Sequence, residues 1–342
     1  MASPIDRKTI PAYQARADEL RRLQAPVEAG LAEVQTQIVE FLTSPIPLIE
    51  DVSRHLVSTP GKKFRPTLLL LVAGMHKEPG PREIYAACVV ELIHTATLIH
   101  DDSVDKSTLR RGIPTVNSLW DDQVSIIMGD YLYTRAFHSL LERGDHAAAE
   151  IAARCAFRMS VGEMLQIEQK NDPDVAEEAY ELLIREKTAS LMAASCEIGA
   201  VMGGGPADHR RRMAEFGADL GMAYQIMDDL FDYIGNEQAM GKEPCSDLRE
   251  GKITSPLIRA LRNAPAADAA ALKSLIRSGE FRRPGRWEEL LDFVETHQGI
   301  AESRERARSY AERAQKRLLD YEDTPFRRSL LDAVDYAVQR DR

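Results

Sequence analysis

Apolar residues recur at intervals of three and four along most of the chain, and strict alternation of apolar and polar positions is nearly absent. This spacing predicts amphipathic helices instead of half-buried strands. Prolines stand at or near the start of several predicted helices, where the first turn tolerates a missing N–H. The predicted helices cover residues 25–41, 45–56, 66–75, 81–100, 116–142, 146–169, 175–202, 206–234, 256–263, 266–278, 287–298, 300–319 and 325–338.

Short segments rich in Gly and Pro, such as "STPGKKF", "HKEPGP" and "MGGGP", separate the predicted helices. The central helices are rich in Leu, Ala and Ile, so we expect them to be buried on several sides. We see no fixed-period repeat, no low-complexity tract and no long linker. The pattern therefore predicts one all-α domain, a helical bundle over residues 1–342, with residues 1–24 as a loosely packed N-terminal segment.

Composition narrows the possible partners and the compartment. The 342 residues carry a net charge of −10, which argues against a general nucleic-acid surface. An anionic substrate would then need a local basic site or a bridging cation. The cysteines (Cys88, Cys155, Cys196, Cys245) lack C-x-x-C spacing, so we expect neither a disulfide framework nor a zinc site, and a reducing cytoplasm fits best.

Membrane segments are not expected from the sequence. The longest apolar run, Thr67–Met75, has nine residues. A helix that spans a bilayer needs about 20. The first residues, "MASPIDRKTIPAYQAR", have no apolar core of the signal-peptide type.

The pattern acid-acid-x-x-acid occurs several times, and two copies are distinctive. With 54 acids in 342 residues, about one match is expected by chance, so the spacing alone is not diagnostic. We interpret "EEAYE" (Glu177–Glu181) and "EELLD" (Glu288–Asp292) as solvated helix faces. The other two copies consist of aspartate alone: the first cluster is Asp101, Asp102 and Asp105, and the second is Asp228, Asp229 and Asp232.

Both aspartate clusters follow apolar helical runs, at helix ends where the dipole disfavours acids. In a helix, the first and last aspartates of each cluster lie on one face, one turn apart. Carboxylates stacked in this way repel each other unless a cation lies between them. The pattern therefore predicts a divalent cation with oxygen ligands, and Mg²⁺ is the usual choice when phosphates complete its shell.

Basic residues accompany both clusters and favour anionic ligands. Acids mixed with bases suit a phosphate bridged by a metal, whereas bases alone suit a phosphate held without one. Two such sites beside an apolar interior suggest two phosphorylated apolar substrates. His94 lies seven residues before Asp101, on nearly the same helical face. A lone His at such a position has either a structural role or a role in binding the ligand. The bases are Lys62, Lys63, Arg65, Lys106, Arg110, Arg111, Lys187, Lys242, Arg249 and Lys252.

Six ordered motifs extend over nearly the whole chain and carry a family resemblance. They are "GKKFRP", "ELIHTATLIHDDSVDKSTLRRGIPTVN", "GDYLYTRAF", "GEMLQIE", "REKTASL" and "YQIMDDLFDYIGNEQAMGKEPCSDLREGKITSP". Together they resemble the trans-isoprenyl diphosphate synthases, and among these the long-chain polyprenyl group. The resemblance implies an all-α bundle around a deep central cavity, usually in a homodimer. It also implies head-to-tail condensation of isopentenyl diphosphate with an allylic diphosphate.

The resemblance assigns roles to individual residues. It implies that the two aspartate clusters face each other and hold Mg²⁺ ions that bridge the allylic diphosphate. Six residues match family residues that contact the allylic diphosphate or the charge that develops as it leaves: Arg110, Lys187, Thr188, Gln225, Lys242 and Lys252. Residues that match the pocket for isopentenyl diphosphate are Lys62, Arg65, His94 and Arg111. Lys63 stands where the family often has Arg, which replaces a planar fork with a point charge.

The resemblance also bears on product length. In this family, bulky residues four or five positions before the first aspartate block the growing chain, and here Thr97 and Ala96 are small. We therefore expect an open tunnel and a long-chain product, with ordinary helix packing as the alternative. The floor of the tunnel is left open between Ile93 and the segment Tyr131–Phe137.

Three other functions remain as alternatives. The nearest is a farnesyl or geranylgeranyl diphosphate synthase of the same fold. A non-catalytic partner subunit would be expected to lose aspartates, and this chain keeps all of those in both clusters. A terpene cyclase or head-to-head synthase is disfavoured by the "GKKFRP" and "RRG" segments.

Overall fold

Helices make up nearly all of the structure, as the apolar spacing predicts. The computed structural model describes residues 11–58, 61–110, 112–234, 246–283 and 286–338. The helices are α1 (Pro11–Gln24), α2 (Glu28–Leu42), α3 (Pro47–Ser58), α4 (Phe64–Gly74), α5 (Pro81–Val104), α6 (Val116–Leu119), α7 (Asp122–Glu142), α8 (His146–Glu168), α9 (Glu177–Ile184), α10 (Ser190–Met202), α11 (Ala207–Ile234), α12 (Ser246–Arg249), α13 (Ser255–Asn263), α14 (Ala266–Ser278), α15 (Arg286–Thr296), α16 (Gly299–Arg317) and α17 (Pro325–Val338).

Short irregular elements connect some of these helices. Two short antiparallel strands, β1 (Leu109–Arg110) and β2 (Ile113–Pro114), form a hairpin directly after α5. Single 3₁₀ turns occupy Ala25–Val27 and Glu280–Arg282, and a π-helical turn occupies Arg185–Ala189. The fold is all-α, and the hairpin is a local departure whose two-residue strands are too short to show an alternating pattern.

The helix bounds differ from the prediction at informative places. The predicted helix 175–202 is interrupted by the π-helical turn, which separates α9 from α10. The predicted helix 81–100 continues to Val104 and includes the first two aspartates of the first cluster. The segment that we expected to be loosely packed contains α1, where Leu23 is buried and Arg16 Nε donates to Tyr336 Oη at 3.2 Å.

The core lies where three helices are buried on most sides. Nearly every residue of α10 is buried, and Leu68–Val72 of α4 are completely buried. Helices α10 and α11 approach so closely that a Cβ on Gly217 would lie 2.5 Å from the carbonyl oxygen of Met192. A side chain there would force the helices apart, since interiors are close-packed. This packing fixes the position of the C-terminal half of α11.

The helix ends that carry the aspartate clusters meet around one cavity. The C-terminal part of α5, the C-terminal part of α11, the π-helical turn and the segment 247–254 all contribute to its wall. Within the described ranges, no helix has the length and apolarity required to cross a bilayer.

Candidate active site

A cavity of about 690 Å³ brings the two aspartate clusters together. Asp101 and Asp105 reach it from α5, and Asp228 and Asp229 reach it from α11. The clusters are more than 120 positions apart in the sequence, and the fold makes them neighbours. The cavity wall also includes bases from three other segments, which are Arg110, Lys187 and Lys252.

Each aspartate of the first cluster has a basic partner. Asp102 is buried, and Arg110 Nε lies 2.9 Å from both of its carboxylate oxygens. Lys252 Nζ lies 3.1 Å from Asp105 Oδ2. Lys187 Nζ lies 3.7 Å from Asp101 Oδ2. The bases come from three different parts of the chain, so the first cluster is neutralised by the tertiary fold.

Burial decides the direction of the pKa shift at Asp102, whereas neighbouring carboxylates decide it at Lys252. Burial raises the pKa of Asp102 even though Arg110 acts to lower it. Burial also opposes the charged form of Lys252, but Asp105, Glu250 and Asp247 outweigh it and raise the pKa of the ammonium group. Lys252 therefore stays charged at neutral pH beside the first cluster.

The hydrogen bonds described for the second cluster come from neutral groups. The buried Tyr180 Oη donates to Asp229 Oδ2 at 2.6 Å, and Gln225 Nε2 donates to Asp229 Oδ1 at 2.7 Å. Asp232 accepts from the backbone N–H and the hydroxyl of Ser246. Asp228 lies on the cavity wall.

Negative charge accumulates around the second cluster. Burial, together with the neighbouring Asp228 and Asp232, raises the pKa of Asp229 to about 7, against the effect of its two hydrogen-bond donors. Burial and the same carboxylates raise the pKa of Asp247 well above its usual range. Such crowding of carboxylates is the condition that a bound cation relieves.

The π-helical turn carries the two adjacent residues Lys187 and Thr188 to the cavity wall. Lys187 Nζ lies 2.5 Å from Glu163 Oε1 and donates to Gln166 Oε1 at 3.1 Å. Thr188 Oγ1 donates to Gln225 Oε1 at 2.9 Å. A π-helical turn widens the helix and is frequent at functional sites.

Close packing against α8 fixes the position of this turn. A Cβ on Gly162 would lie 2.4 Å from the backbone nitrogen of Lys187, so only glycine fits there. The turn is held further by Arg158, whose Nε donates to Glu186 Oε2 at 2.7 Å.

A second, smaller cavity of about 170 Å³ adjoins the first. Arg65 Nη1 lies 3.0 Å from His94 Nε2, and both side chains line both cavities. Lys62 and Lys63 line the smaller cavity, where burial lowers the pKa of Lys63 against the effect of Glu91. The bases predicted for a phosphate held without metal thus lie together, next to the Arg110–Asp102 pair.

The residues of the larger cavity that sequence reasoning missed include Tyr180, Glu163, Gln166 and Asp247. Tyr180 was hidden in "EEAYE", and the interpretation of that motif as a solvated face is wrong. Glu181 is bonded to Arg306 and Tyr310. Burial and Asp101 raise the pKa of Glu163 to about 7.

The two residues proposed for chain length occupy different surroundings. Thr97 lines the larger cavity, one helical turn before Asp101. Ala96 is completely buried and does not belong to the cavity lining, since it lies about 100° around the helix from Thr97. Tyr133 and Phe137 line the cavity and stack with ring centroids 5.9 Å apart, whereas Ile93 is buried in the core.

Two predicted site residues, Arg111 and Lys242, lie outside the described residues. Among the described residues, no three His, Cys, Asp or Glu side chains are arranged to hold a metal ion by themselves. A cation would therefore need further oxygen ligands, and the phosphates of a substrate supply them.

Comparisons with known proteins agree with this geometry. Residues 46–294 match the family model described as polyprenyl synthetase. The chain is 34% identical to octaprenyl diphosphate synthase of Escherichia coli over 94% of this chain and 99% of that protein.

Solved structures show the same fold over nearly the full length. A decaprenyl diphosphate synthase from Rhodobacter capsulatus has a TM-score of 0.88 and 37% identity, covering 94% of this chain and 99% of that one. A polyprenyl synthase from Caulobacter crescentus, complexed with calcium and isoprenyl diphosphate, has a TM-score of 0.87 and 31% identity, covering 93% and 97%. The chain therefore belongs to the polyprenyl synthetase family.

Proposed function

We propose that this prenyltransferase condenses isopentenyl diphosphate with an allylic diphosphate, head to tail and with trans geometry, and repeats the addition to make a long-chain polyprenyl diphosphate. The observation that carries the proposal is the meeting of both aspartate clusters in one cavity, next to a smaller basic cavity. The two cavities match the two diphosphates that the reaction requires.

The donor set of the larger cavity fits a divalent cation with oxygen ligands. The carboxylates that line it are Asp101, Asp105, Asp228 and Asp229, and we propose that Asp102 completes the first cluster. Bound Mg²⁺ would neutralise the substrate diphosphate and stabilise the pyrophosphate that leaves. The complex of the Caulobacter crescentus relative with calcium and isoprenyl diphosphate supports a divalent cation in this family.

The charged side chains of the larger cavity would stabilise the leaving group. Arg110, Lys187 and Lys252 present positive charge where the diphosphate becomes a free anion, and preorganised charge of this kind lowers the barrier to ionisation. Lys242 would add to this charge, in accord with the family pattern. The hydrogen-bonded oxygens of Thr188 and Gln225 present dipoles that can stabilise the allylic cation.

The smaller cavity would position the second substrate. Lys62, Arg65 and His94 line it, and Arg111 follows Arg110 in the sequence. Isopentenyl diphosphate held there would direct its double bond at the cation, after which a proton is lost to the pyrophosphate oxygen. Tyr133, Phe137 and Met159 line the larger cavity and would exclude water, which otherwise quenches the cation.

We propose a long-chain product because the cavity wall next to the first cluster is small at Thr97. Tyr133 and Phe137 lie on the same wall and are candidates for the floor. A farnesyl or geranylgeranyl diphosphate synthase is the alternative, and product length separates the two.

We also propose a homodimer in the cytoplasm. Helices α7 and α8 expose Ile127, Phe157 and Met164, each more than 60% accessible, and large exposed apolar surfaces mark interfaces. The free cysteines Cys88 and Cys155 fit a reducing compartment. Light scattering is expected to show a dimer that Ile127→Glu dissociates, and a monomeric parent protein would contradict the proposal.

The deciding experiment is turnover of labelled isopentenyl diphosphate with MgCl₂ and geranyl, farnesyl or geranylgeranyl diphosphate as primer. We expect incorporation of label into products longer than geranylgeranyl diphosphate. Products no longer than geranylgeranyl would favour the short-chain alternative. Absence of incorporation with every primer would favour a non-catalytic partner subunit.

A further inference from the structure

Asp232, the last aspartate of the second cluster, accepts hydrogen bonds from a turn of the chain. Its Oδ1 accepts from the backbone N–H of Ser246 at 3.0 Å and from the Ser246 hydroxyl at 2.8 Å. Its Oδ2 accepts from the backbone N–H of Asp247 at 3.0 Å. Asp232 is buried and does not line the larger cavity, whereas Asp228, one turn earlier, does.

The segment that Asp232 holds is compact, and we call it the anchored turn (residues 246–252). Within it, the N–H of Glu250 donates to Ser246 O at 3.0 Å, and the N–H of Lys252 donates to Asp247 O at 2.8 Å. Gly251 has φ of 89°, which favours glycine, and its carbonyl accepts from the N–H of Asn171 at 2.8 Å. These bonds connect Glu250 and Lys252 to the first two residues of the turn.

The anchored turn places the base Lys252 next to the first aspartate cluster. Lys252 Nζ lies 3.1 Å from Asp105 Oδ2 and donates to Glu250 Oε2 at 2.7 Å. A series of contacts thus connects Asp232, through the anchored turn and Lys252, to Asp105 of the first cluster. A displacement at Asp232 would move Lys252 away from the position where it meets Asp105 and the departing diphosphate.

From this geometry we infer that Asp232 is a positioning residue that places Lys252 through the anchored turn and does not itself bind the metal. The inference rests on the proposed function, and it replaces the ligand role that the spacing of the second cluster predicts for this aspartate. Its two oxygens accept from three protein donors, and it does not line the larger cavity, whereas Asp229, which is also hydrogen-bonded, does line it. The second cluster then offers its metal-binding oxygens from Asp228 and Asp229.

The test compares Asp232→Asn with Asp228→Asn, which makes the same change one helical turn away. An amide has one carbonyl oxygen, so Asp232→Asn cannot accept from both Ser246 and Asp247 as the carboxylate does. We expect a loss in kcat/KM for the allylic substrate of about 10–100-fold, as for other residues that orient a site from outside it. The Mg²⁺ concentration for half-maximal activity should stay near the parent value in Asp232→Asn and rise clearly in Asp228→Asn.

The coupling to Lys252 supplies a second readout. If Asp232 acts by placing Lys252, then Asp232→Asn should cost far less in a Lys252→Ala background than in the parent protein, because residues in one chain of contacts are not additive. Calorimetry with an unreactive allylic thiolodiphosphate at saturating Mg²⁺ should show weaker binding in both single variants and no further weakening in the double variant.

Clear outcomes would overturn the inference. Asp232→Asn could shift the Mg²⁺ requirement as far as Asp228→Asn does, or it could add its full effect to that of Lys252→Ala. Should Asp232→Asn fail to fold by circular dichroism, Ser246→Ala takes its place, since it removes one donor and leaves the carboxylate. Ser246→Ala should then lose activity without a Mg²⁺ shift and without adding to Lys252→Ala, and additivity would reject the inference.

The parent protein separates this inference from the proposed function. If the parent makes no prenyl product, the proposed function fails, whereas thiolodiphosphate binding still reports on the anchored turn. If the parent is active and the variants behave additively, only the role of Asp232 fails.

Discussion

The two aspartate clusters share one spacing, but the contacts that the structure describes for them differ. Every member of the first cluster faces a base: Asp101 faces Lys187, Asp102 faces Arg110 and Asp105 faces Lys252. The hydrogen bonds described for Asp229 and Asp232 come from a phenol, an amide, a hydroxyl and backbone N–H groups. Identical sequence motifs therefore have different electrostatic states in the fold.

The spacing of the aspartates therefore predicts where the carboxylates lie, but it does not predict which groups neutralise their charge. At the first cluster, paired bases are already in position, and they suit an anion that displaces the carboxylates from them. At the second cluster, burial and crowding raise the pKa of Asp229 to about 7. We therefore expect the first cluster to depend on its bases and the second cluster on its neutral donors and on a cation.

The largest expected effect is at the buried ion pair of the first cluster. Asp102→Ala leaves Arg110 without its carboxylate partner and should reduce kcat/KM by about a hundredfold or more, with little loss of helicity. The measurement is turnover of labelled isopentenyl diphosphate together with circular dichroism. Asp122→Ala, at an exposed aspartate that pairs with Lys106, is the matched control and should remain near the parent. Near-normal turnover in Asp102→Ala would contradict the expectation that the first cluster depends on its paired bases.

A smaller effect is expected at the neutral donors of the second cluster. Tyr180→Phe removes the hydroxyl that donates to Asp229, and the loss of a hydrogen bond to a charged group costs about 1.5 kcal/mol, or roughly a tenfold loss of activity. Because the donor stabilises the carboxylate, its removal should raise the pKa of Asp229 and move the acid limb of the pH–rate profile upward. The measurement is kcat/KM as a function of pH.

Tyr310→Phe is the control for Tyr180→Phe. Its hydroxyl donates to Glu181 Oε2 at 2.8 Å, away from the cavity, so this change should lower the melting temperature and leave the acid limb in place. Identical pH profiles for both variants would show that Tyr180 has only a structural role.

The smallest effect on rate, with the clearest effect on product, is expected one turn before each cluster. Thr97 precedes Asp101 by one turn, and Tyr224 precedes Asp228 by one turn, and both line the larger cavity. The wall is therefore small beside the first cluster and bulky beside the second. Thr97→Phe should shorten the product while the first condensation proceeds at a similar rate, as measured by product chromatography.

Thr97→Ser is the conservative control and should keep the parent chain length. Ala96→Phe tests the neighbouring position that the family pattern also names. Its side chain would enter a packed core, so we expect a loss of stability there, because overpacking costs about 1–3 kcal/mol. An unchanged product in Thr97→Phe would place the growing chain elsewhere.

Much of the fold follows from the sequence because helix periodicity is local. Most predicted helices are present, with ends displaced by a few residues. The π-helical turn was not predictable, because it depends on Gly162 of α8 packing against Lys187. Helix α1 was missed because few of its positions are apolar, and it packs instead through residues such as Leu23 and Arg16.

The candidate site was predictable where the motif itself carries the chemistry. The aspartates and the bases beside them were visible as clusters, and the fold brings members of both clusters to one cavity, together with Arg110, Lys187 and Lys252. Tyr180 and Asp247 were not visible in the same way, because a hydrogen bond to Asp229 or a place on the cavity wall depends on the tertiary fold. Only the packing of α9 and α12 against α11 reveals them.

The most direct test of the central claim is a crystal structure with Mn²⁺ and an allylic thiolodiphosphate, in which anomalous scattering locates the metal. We predict ions between the two clusters, each bonded to diphosphate oxygens and to carboxylates from α5 or α11. We also predict that Arg110, Lys187 and Lys252 turn towards the diphosphate. Metal bound at one cluster alone, or a diphosphate held outside the larger cavity, would contradict this claim.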